Sequence, residues 1–399
     1  MNTPLTPHAG TVAPAPAWDG LSLALRLALA PLVALGFSRF AYALLLPGMQ
    51  QSLGWSLSQA GALNTANGIG YLLGALLASP LAARWGTRRC FTLSLWLSAL
   101  SLLACALPTG WHLFLGVRVL GGWATACAFV LGTALAARAM PQRPAAALAV
   151  YFAGSGLGMV IAGASLPHWL LSPEPEAWRS AWTVMGGLAG VAAWLAMRAA
   201  LRLPGSPHTA ASAGTPSRLQ GLAPIAPTLL ANALYGAGYV GYTTFVVALL
   251  RQQGLGTWAA ALFFCGLGLA SMAASPGWGG WLGRQRGGRG FAVVALCVAA
   301  GTVPVLLSAA LPALVLSALL FGASFMAGPA AVSVTAQRAL PAPVLASGLG
   351  ALTAAFSLGQ SIGPLLTGWV ADAAGTLEAG LWTGPVLLAL GAAVALRQR

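Results

Sequence analysis

Long apolar stretches alternate with short polar breaks along almost the whole chain. A membrane-spanning helix needs about 20 predominantly apolar residues, and twelve such stretches lie between arginine clusters and proline or glycine breaks. Their approximate bounds are Leu21–Pro47, Ser58–Ala83, Cys90–Leu107, Trp111–Ala137, Ala145–Leu170, Trp178–Ala200, Leu222–Leu250, Thr257–Gly283, Gly290–Leu311, Pro312–Gln337, Val344–Ala371 and Gly380–Leu396. The pattern predicts an all-α membrane protein with twelve transmembrane helices.

The composition identifies lipid as the main solvent. Hydrophobic residues make up 58% of the chain and charged residues only 6%, which is too few charges for an ordinary water-exposed surface. The net charge of +14 does not indicate nucleic-acid binding, because the basic residues lie between apolar segments and form no contiguous basic face. We therefore expect a lipid bilayer and a small-molecule substrate as partners, and no nucleic acid.

The arginines predict the orientation in the membrane, since basic residues are retained on the cytoplasmic side. With both termini inside, the outer side holds only Arg179 and Arg251. The inner loops and tail hold Arg84, Arg88, Arg89, Arg138, Arg143, Arg198, Arg202, Arg218, Arg284, Arg286, Arg289, Arg338, Arg397 and Arg399. The expected location is the inner membrane of a bacterium, crossed many times, with both termini cytoplasmic.

An internal repeat divides the chain into two halves. Arg138 is followed by Ala-Met-Pro, and about 200 residues later Arg338 is followed by Ala-Leu-Pro; other matches also join helix n to helix n+6, a pattern typical of transporters. We expect two pseudo-symmetric six-helix bundles, residues 21–202 and 222–399. Residues 203–221, rich in Pro, Ser and Gly, form the predicted cytoplasmic linker, and residues 1–20 a disordered tail.

Several motifs resemble those of the major facilitator superfamily. The segment Ser79–Arg89 resembles the family signature G-x-L-a-D-r-x-G-r-r and keeps Arg84, Gly86 and Arg88, with Ala83 in place of the acid. The segment Gly36–Tyr42 resembles the first helix of the uncharacterised bacterial YbfB/YjiJ-type branch. The resemblance implies a central cavity that opens alternately to each side, with Arg84, Gly86 and Arg88 in a gating loop.

Two arginines, Arg39 and Arg118, lie inside predicted spans, where an unpaired guanidinium costs about 2.5–3.5 kcal/mol even on a lenient scale. No Asp or Glu lies in a helix interior to neutralise them. We predict that they present positive charge to a small anionic or carbonyl-bearing substrate. The predicted substrate-binding residues are Arg39, Tyr42, Asn64, Asn67, Arg118, Tyr239, Tyr242 and Gln360. Structural roles stay open for Arg118, for the two asparagines as interhelical hydrogen-bonding groups and for the tyrosines as packing residues.

The predicted function is secondary active or facilitative transport of a small molecule, such as an organic anion, by alternating access. An exporter of amphipathic drugs or metabolites is an alternative, and a transport-inactive sensor or scaffold is a more distant one. The spans contain neither H-E-x-x-H nor G-x-S-x-G and no paired carboxylates, so we expect no enzymatic activity. We expect no cofactor and no metal, and a monomeric protein.

Overall fold

A computed structural model describes residues 17–107, 110–171, 174, 176–203 and 216–398. These residues form helices and turns, without a β-strand among them. In chain order the long helices are α1 (Asp19–Leu53), α2 (Leu57–Trp85), α3 (Thr87–Ala104), α4 (Trp111–Ala139), α5 (Pro144–Leu170), α6 (Ala177–Arg202), α7 (Ala226–Gln252), α8 (Thr257–Leu282), α9 (Arg289–Leu307), α10 (Leu311–Ala339), α11 (Ala342–Ala374) and α12 (Leu377–Ala395). The predicted all-α membrane fold is confirmed.

The number of spans differs slightly from the prediction. Within the described residues, eleven helices are long and apolar enough to cross a membrane. The exception is the 18-residue helix α3, which occupies the predicted third span. It begins with Arg88 and Arg89 next to its first residue and carries three buried serines, so its composition is less apolar than that of the other helices.

Two helices, α1 and α10, are irregular near their own midpoints. In α1, residues Leu32–Phe40 form a π-helical segment. In α10, a 3₁₀ turn over Phe325–Ala327 separates two α-helical parts. Such local changes of helix type inside a membrane helix are frequent at functional sites.

The first helix extends beyond its predicted end. It continues past Pro47 to Leu53 and ends at Gly54, which adopts a left-handed conformation with φ of 66°. A proline removes one backbone donor and bends a helix, but glycine at the C-cap is the stronger stop signal here. The predicted tail lies mostly outside the described residues, as does most of the predicted linker; Pro216–Ile225 of that region forms a 3₁₀ helix before α7.

The packing of the helices repeats between the halves. In the first half α2 packs on α4, α3 on α4 and α6, and α1 on α5; in the second half α8 packs on α10, α9 on α10 and α12, and α7 on α11. The interface between the halves follows the same rule, because α2 packs on α11 and α5 packs on α8. If six is added to each helix number, with counting continued from α12 to α1, the pair α2–α11 becomes α8–α5. This relation is the expected pseudo-symmetry of the two halves.

The two ends of the helices differ in charge. The turns after α2, α4, α8 and α10 hold most of the loop arginines, and we call this the arginine-rich end. The turns after α1, α7 and α11 lie at the opposite, arginine-poor end. Large apolar side chains are exposed on the outer surface, as expected for lipid contact; examples on α3, α6, α9 and α12 are Leu93, Leu100, Val191, Trp194, Leu296, Val386 and Leu390.

Candidate functional site

Arg39 lies at the interface between the two halves. The π-helical segment of α1 carries it, and its side chain is almost fully buried. The Nη1 group donates a hydrogen bond of 2.5 Å to Oε1 of Gln360 on α11. The guanidinium carbon lies 4.7 Å from the centre of the Tyr71 ring on α2, and the Tyr239 hydroxyl on α7 lies beside the same guanidinium. Four helices from both halves therefore converge on this charge.

Several polar atoms at this point have no hydrogen-bond partner among the described residues. They are Nη2 of Arg39, Nε2 of Gln360 and the hydroxyl of Ser357, one turn before Gln360 on α11. Buried polar groups in proteins are nearly always hydrogen-bonded, and an unsatisfied one calls for an explanation such as a ligand or water. The two nitrogens are both donors, so the site offers hydrogen bonds to a group with acceptor oxygens.

Arg118 has a different environment inside the first half. Its Nη1 donates to the Ser38 carbonyl at 2.8 Å, its Nε to the Leu63 carbonyl at 3.4 Å and its Nη2 to Oδ1 of Asn64 at 3.3 Å. The ring of Tyr42 lies 5.0 Å from its guanidinium carbon. Each side-chain nitrogen of Arg118 thus has a protein acceptor, in contrast to Arg39.

The asparagines and Tyr42 complete the cluster around Arg118. Asn64 also donates to the Thr244 hydroxyl on α7 at 2.6 Å, a second hydrogen bond between the halves. Asn67 donates to the Arg118 carbonyl at 3.3 Å, and the Tyr42 hydroxyl donates to the Ala60 carbonyl at 2.8 Å. These side chains tie α1, α2, α4 and α7 together.

The predicted site residues therefore separate into groups. Arg39, Tyr239 and Gln360 meet at the interface, and Arg118, Asn64, Asn67 and Tyr42 form the neighbouring cluster. Tyr242 belongs to neither group, because its hydroxyl lies 3.1 Å from that of Ser317 on α10 and its ring packs on Phe321 at 4.8 Å.

Tyr71 was not predicted, although the sequence contains a signal for it. Asn67 follows Asn64 by three residues and Tyr71 follows Asn67 by four, which places the three side chains along one face of α2. The ring of Tyr71 lies under Arg39, whereas the two asparagines contact the Arg118 cluster. The same face of α2 therefore contacts both Arg39 and the Arg118 cluster.

The halves are joined tightly at the arginine-poor end. The Asp372 carboxylate near the end of α11 accepts hydrogen bonds from the backbone amides of Leu57 and Ser58, at 3.0 and 2.8 Å, in the first turn of α2. Further along the same interface a Cβ atom at Gly61 would overlap the Pro364 carbonyl. Glycine is required there because the two backbones touch.

The hydrogen bonds found between the halves all lie between the middle of the helices and this end. Besides those already described, Thr65 donates to the Ser361 carbonyl, and the Cys265 thiol lies 3.5 Å from the Val160 carbonyl. His168 and Trp258 form an edge-to-face contact at 5.3 Å close to the arginine-poor end. Within the described chain, the interface is thus closed on the arginine-poor side of Arg39.

The predicted gating loop lies at the arginine-rich end, between α2 and α3. Gly86 has φ of 89°, a conformation that other residues rarely adopt. The Nη2 group of Arg88 donates to the Leu203 carbonyl after α6, while Arg84 is exposed. In the second half, Arg338 donates to the carbonyls of Gln285 and Gly283 in the turn after α8.

One family of known proteins and one curated relative match the chain over most of its length, and a second relative matches about a third of it. The family described as "Uncharacterised MFS-type transporter YbfB" matches residues 31–396. A chloramphenicol resistance protein of Streptomyces lividans is 27% identical over 378 residues, which are 91% of this chain and 92% of that protein. A putative metabolite transport protein of Haemophilus influenzae is 32% identical over 149 residues, which are 37% of this chain and 36% of that protein.

Solved structures match the fold. The xylose transporter XylE from E. coli, in a partially occluded inward-open conformation, is similar with a TM-score of 0.73 and 15% sequence identity. The match covers 96% of this chain and 98% of XylE. At this identity the similarity shows the fold alone, and that fold is the one that the sequence motifs imply.

Proposed function

This chain belongs to the family of YbfB-type transporters of the major facilitator superfamily, and we propose that it carries a small organic anion. Its function as a membrane transporter follows from the family. The observation that supports the anion is the pair of Arg39 and Gln360, which bridges the halves and leaves one buried donor nitrogen on each side chain without a partner among the described residues. A carboxylate accepts two such hydrogen bonds at once.

The positions of the acidic residues also support an anionic substrate. The five acids of the chain are Asp19, Glu174, Glu176, Asp372 and Glu378, and each lies at a helix end or in a turn between helices. The charge of Arg39 is therefore not neutralised by a carboxylate of the protein. Because an isolated charge in the membrane interior is costly, a substrate anion that binds there lowers the electrostatic energy of the site.

Alternating access requires that the interface at the arginine-poor end opens. In this proposal the two bundles, residues 21–202 and 222–399, rotate relative to each other, while residues 203–221 link them and residues 1–20 form a tail. The contacts of Asp372 and Gly61 break when Arg39 becomes accessible from the arginine-poor side. The present arrangement, in which these contacts are formed, is then a state closed towards the arginine-poor side.

The arginine distribution supports an inner-membrane location with both termini in the cytoplasm. In this orientation the arginine-rich end is cytoplasmic, and the contacts at the arginine-poor end close the site towards the outside. The gating residues Arg84, Gly86 and Arg88 lie on the cytoplasmic side and control the closure of that end. We further propose that a monomer transports, because each chain contains both halves of the path.

The test is solute flux into vesicles that contain the purified full chain. A panel of labelled small carboxylates is offered to the wild type, to Arg39→Gln and to the control Arg251→Gln. Arg251 is exposed at the arginine-poor end and donates to the Leu255 carbonyl. A hydrogen bond to a charged group contributes about 1.5–3 kcal/mol, so Arg39→Gln is expected to weaken substrate affinity roughly tenfold to a hundredfold, with Arg251→Gln unchanged.

Equal flux in wild type and Arg39→Gln would overturn the assignment of the site. If no carboxylate moves but amphipathic drugs do, the second candidate function is correct. That candidate, export of amphipathic drugs or metabolites, is favoured by the similarity to the chloramphenicol resistance protein. If no solute moves at all, the chain is a sensor or scaffold rather than a carrier.

A further inference from the structure

Aromatic side chains lie next to the Arg39 guanidinium, one nitrogen of which has no partner among the described residues. We infer that the anion which binds there carries its carboxylate on an aromatic ring; this inference rests on the proposed function and names its substrate class. The Tyr71 ring lies 4.7 Å from the Arg39 guanidinium carbon, and Tyr239 lies beside the same group.

Tyr239 is part of a continuous ring cluster, which we define as Phe40, Tyr239, Phe325 and Phe356. The Phe40 and Phe325 rings meet edge to face at 5.7 Å, across the interface between the halves. Tyr239 lies 5.9 Å from Phe325 and is stacked on Phe356 at 5.8 Å. The cluster therefore combines side chains of α1, α7, α10 and α11 at the interface between the halves.

The ring cluster is buried except on one side. Phe40, Tyr239 and Phe325 are nearly inaccessible, whereas Phe356 is only half-buried. Phe356 precedes Ser357 and lies four residues before Gln360, so it is one helical turn from the carboxamide that hydrogen-bonds Arg39. A partly exposed ring thus lies one turn from the unpartnered amide nitrogen of Gln360 on the same helix.

This combination matches a planar carboxylate better than other anions. The carboxylate oxygens accept from Nη2 of Arg39 and Nε2 of Gln360, and the attached ring adds an offset or edge-to-face contact with the cluster. An inorganic phosphate or sulfate needs more donors and gains nothing from the rings. An aliphatic carboxylate uses the donors but lacks the aromatic contact.

The experiment measures the binding of four probes to the purified full chain in lipid nanodiscs. They are benzoate, cyclohexanecarboxylate, benzamide and acetate. Together they separate the contributions to binding of the ring itself, of its aromatic character and of the negative charge. One aromatic contact is worth a factor of roughly two to ten beyond burial, so benzoate is expected to bind about fivefold more tightly than cyclohexanecarboxylate. Benzamide, without the charge, and acetate, without the ring, are both expected to bind more weakly than benzoate.

Two variants assign the preference to the ring cluster. Phe356→Leu keeps an apolar side chain and should abolish the preference for benzoate over cyclohexanecarboxylate. The matched control is Phe263→Leu on α8, outside the cluster, which should keep the preference.

Equal binding of benzoate and cyclohexanecarboxylate to the wild type would overturn the aromatic inference and leave the anion site in place. A preference that survives in Phe356→Leu would also overturn it. If none of the three carboxylates binds, the proposed function itself is wrong.

Discussion

Asp372 offers the sharpest test of how the arginine-poor end closes. Its two oxygens accept from the amides of Leu57 and Ser58, which have no acceptor within α2 because they belong to the first turn. Ser56 caps the next amide, that of Gln59, so the carboxylate from the other half completes the capping of this helix end. Because this cap exists only when the arginine-poor end is closed, Asp372→Ala should destabilise the closed state and leave the open state unaffected.

The expected magnitude follows from helix capping. Loss of a capping side chain costs about 0.5–2 kcal/mol, typically about 1, and Asp372 is exposed, so we adopt the central value. Since RT is about 0.59 kcal/mol, the ratio of open to closed molecules at this end should rise roughly fivefold. Asp372→Asn, which keeps one carbonyl oxygen, should have a smaller effect.

Spin labels report this ratio directly. The five native cysteines are first replaced by alanine. Cysteines are then introduced at two exposed positions, Gln51 on α1 and Glu378 on α12, and are spin-labelled. The distribution of distances between the two labels is measured in nanodiscs. Asp19→Ala removes an exposed carboxylate at the beginning of α1 and serves as the control. An unchanged distribution in Asp372→Ala, or an equal change in Asp19→Ala, would refute the proposed role of Asp372.

The structure makes three further predictions. Gly61→Val should keep the arginine-poor end open in the same spin-label measurement, because its side chain would overlap the Pro364 carbonyl; wild-type distances would contradict this. Arg118→Gln should lower the unfolding temperature in detergent more than Arg39→Gln does, because it leaves more buried acceptors without a donor. Each unsatisfied acceptor costs about 1–3 kcal/mol of stability. An equal shift in the two variants would be evidence against a structural role of Arg118. Gln360→Leu removes the amide donor to the substrate carboxylate, a hydrogen bond to a charged group worth about 1.5–3 kcal/mol, so the KM for the transported anion should rise roughly tenfold to a hundredfold, and an unchanged KM would exclude Gln360 from the site.

The fold was predictable because lipid imposes a strong pattern on the sequence. Each long helix corresponds to an apolar stretch in the sequence. The match of Arg138 with Arg338 indicates the internal repeat from the sequence alone. The prediction was weakest where local signals compete. Pro47 interrupts α1 without ending it, and the arginines and serines of α3 reduce the apolar character of that helix.

The site was only partly predictable. An arginine within an apolar stretch indicates a special position, which identified both Arg39 and Arg118. Which of them has free donors depends on contacts that sequence spacing does not reveal, such as the approach of Gln360 from the other half of the chain. Tyr239 and Tyr242 show the same limit, because neighbouring turns of one helix contact different partner helices.

The most direct test of the account is a structure of the full chain in a lipid nanodisc with a transported carboxylate bound. The account predicts ligand density between Nη2 of Arg39 and Nε2 of Gln360, with the hydrogen bonds of Arg118 to Ser38 and Asn64 unchanged. Density at Arg118 in place of its protein acceptors, with Arg39 still bonded only to Gln360, would contradict it.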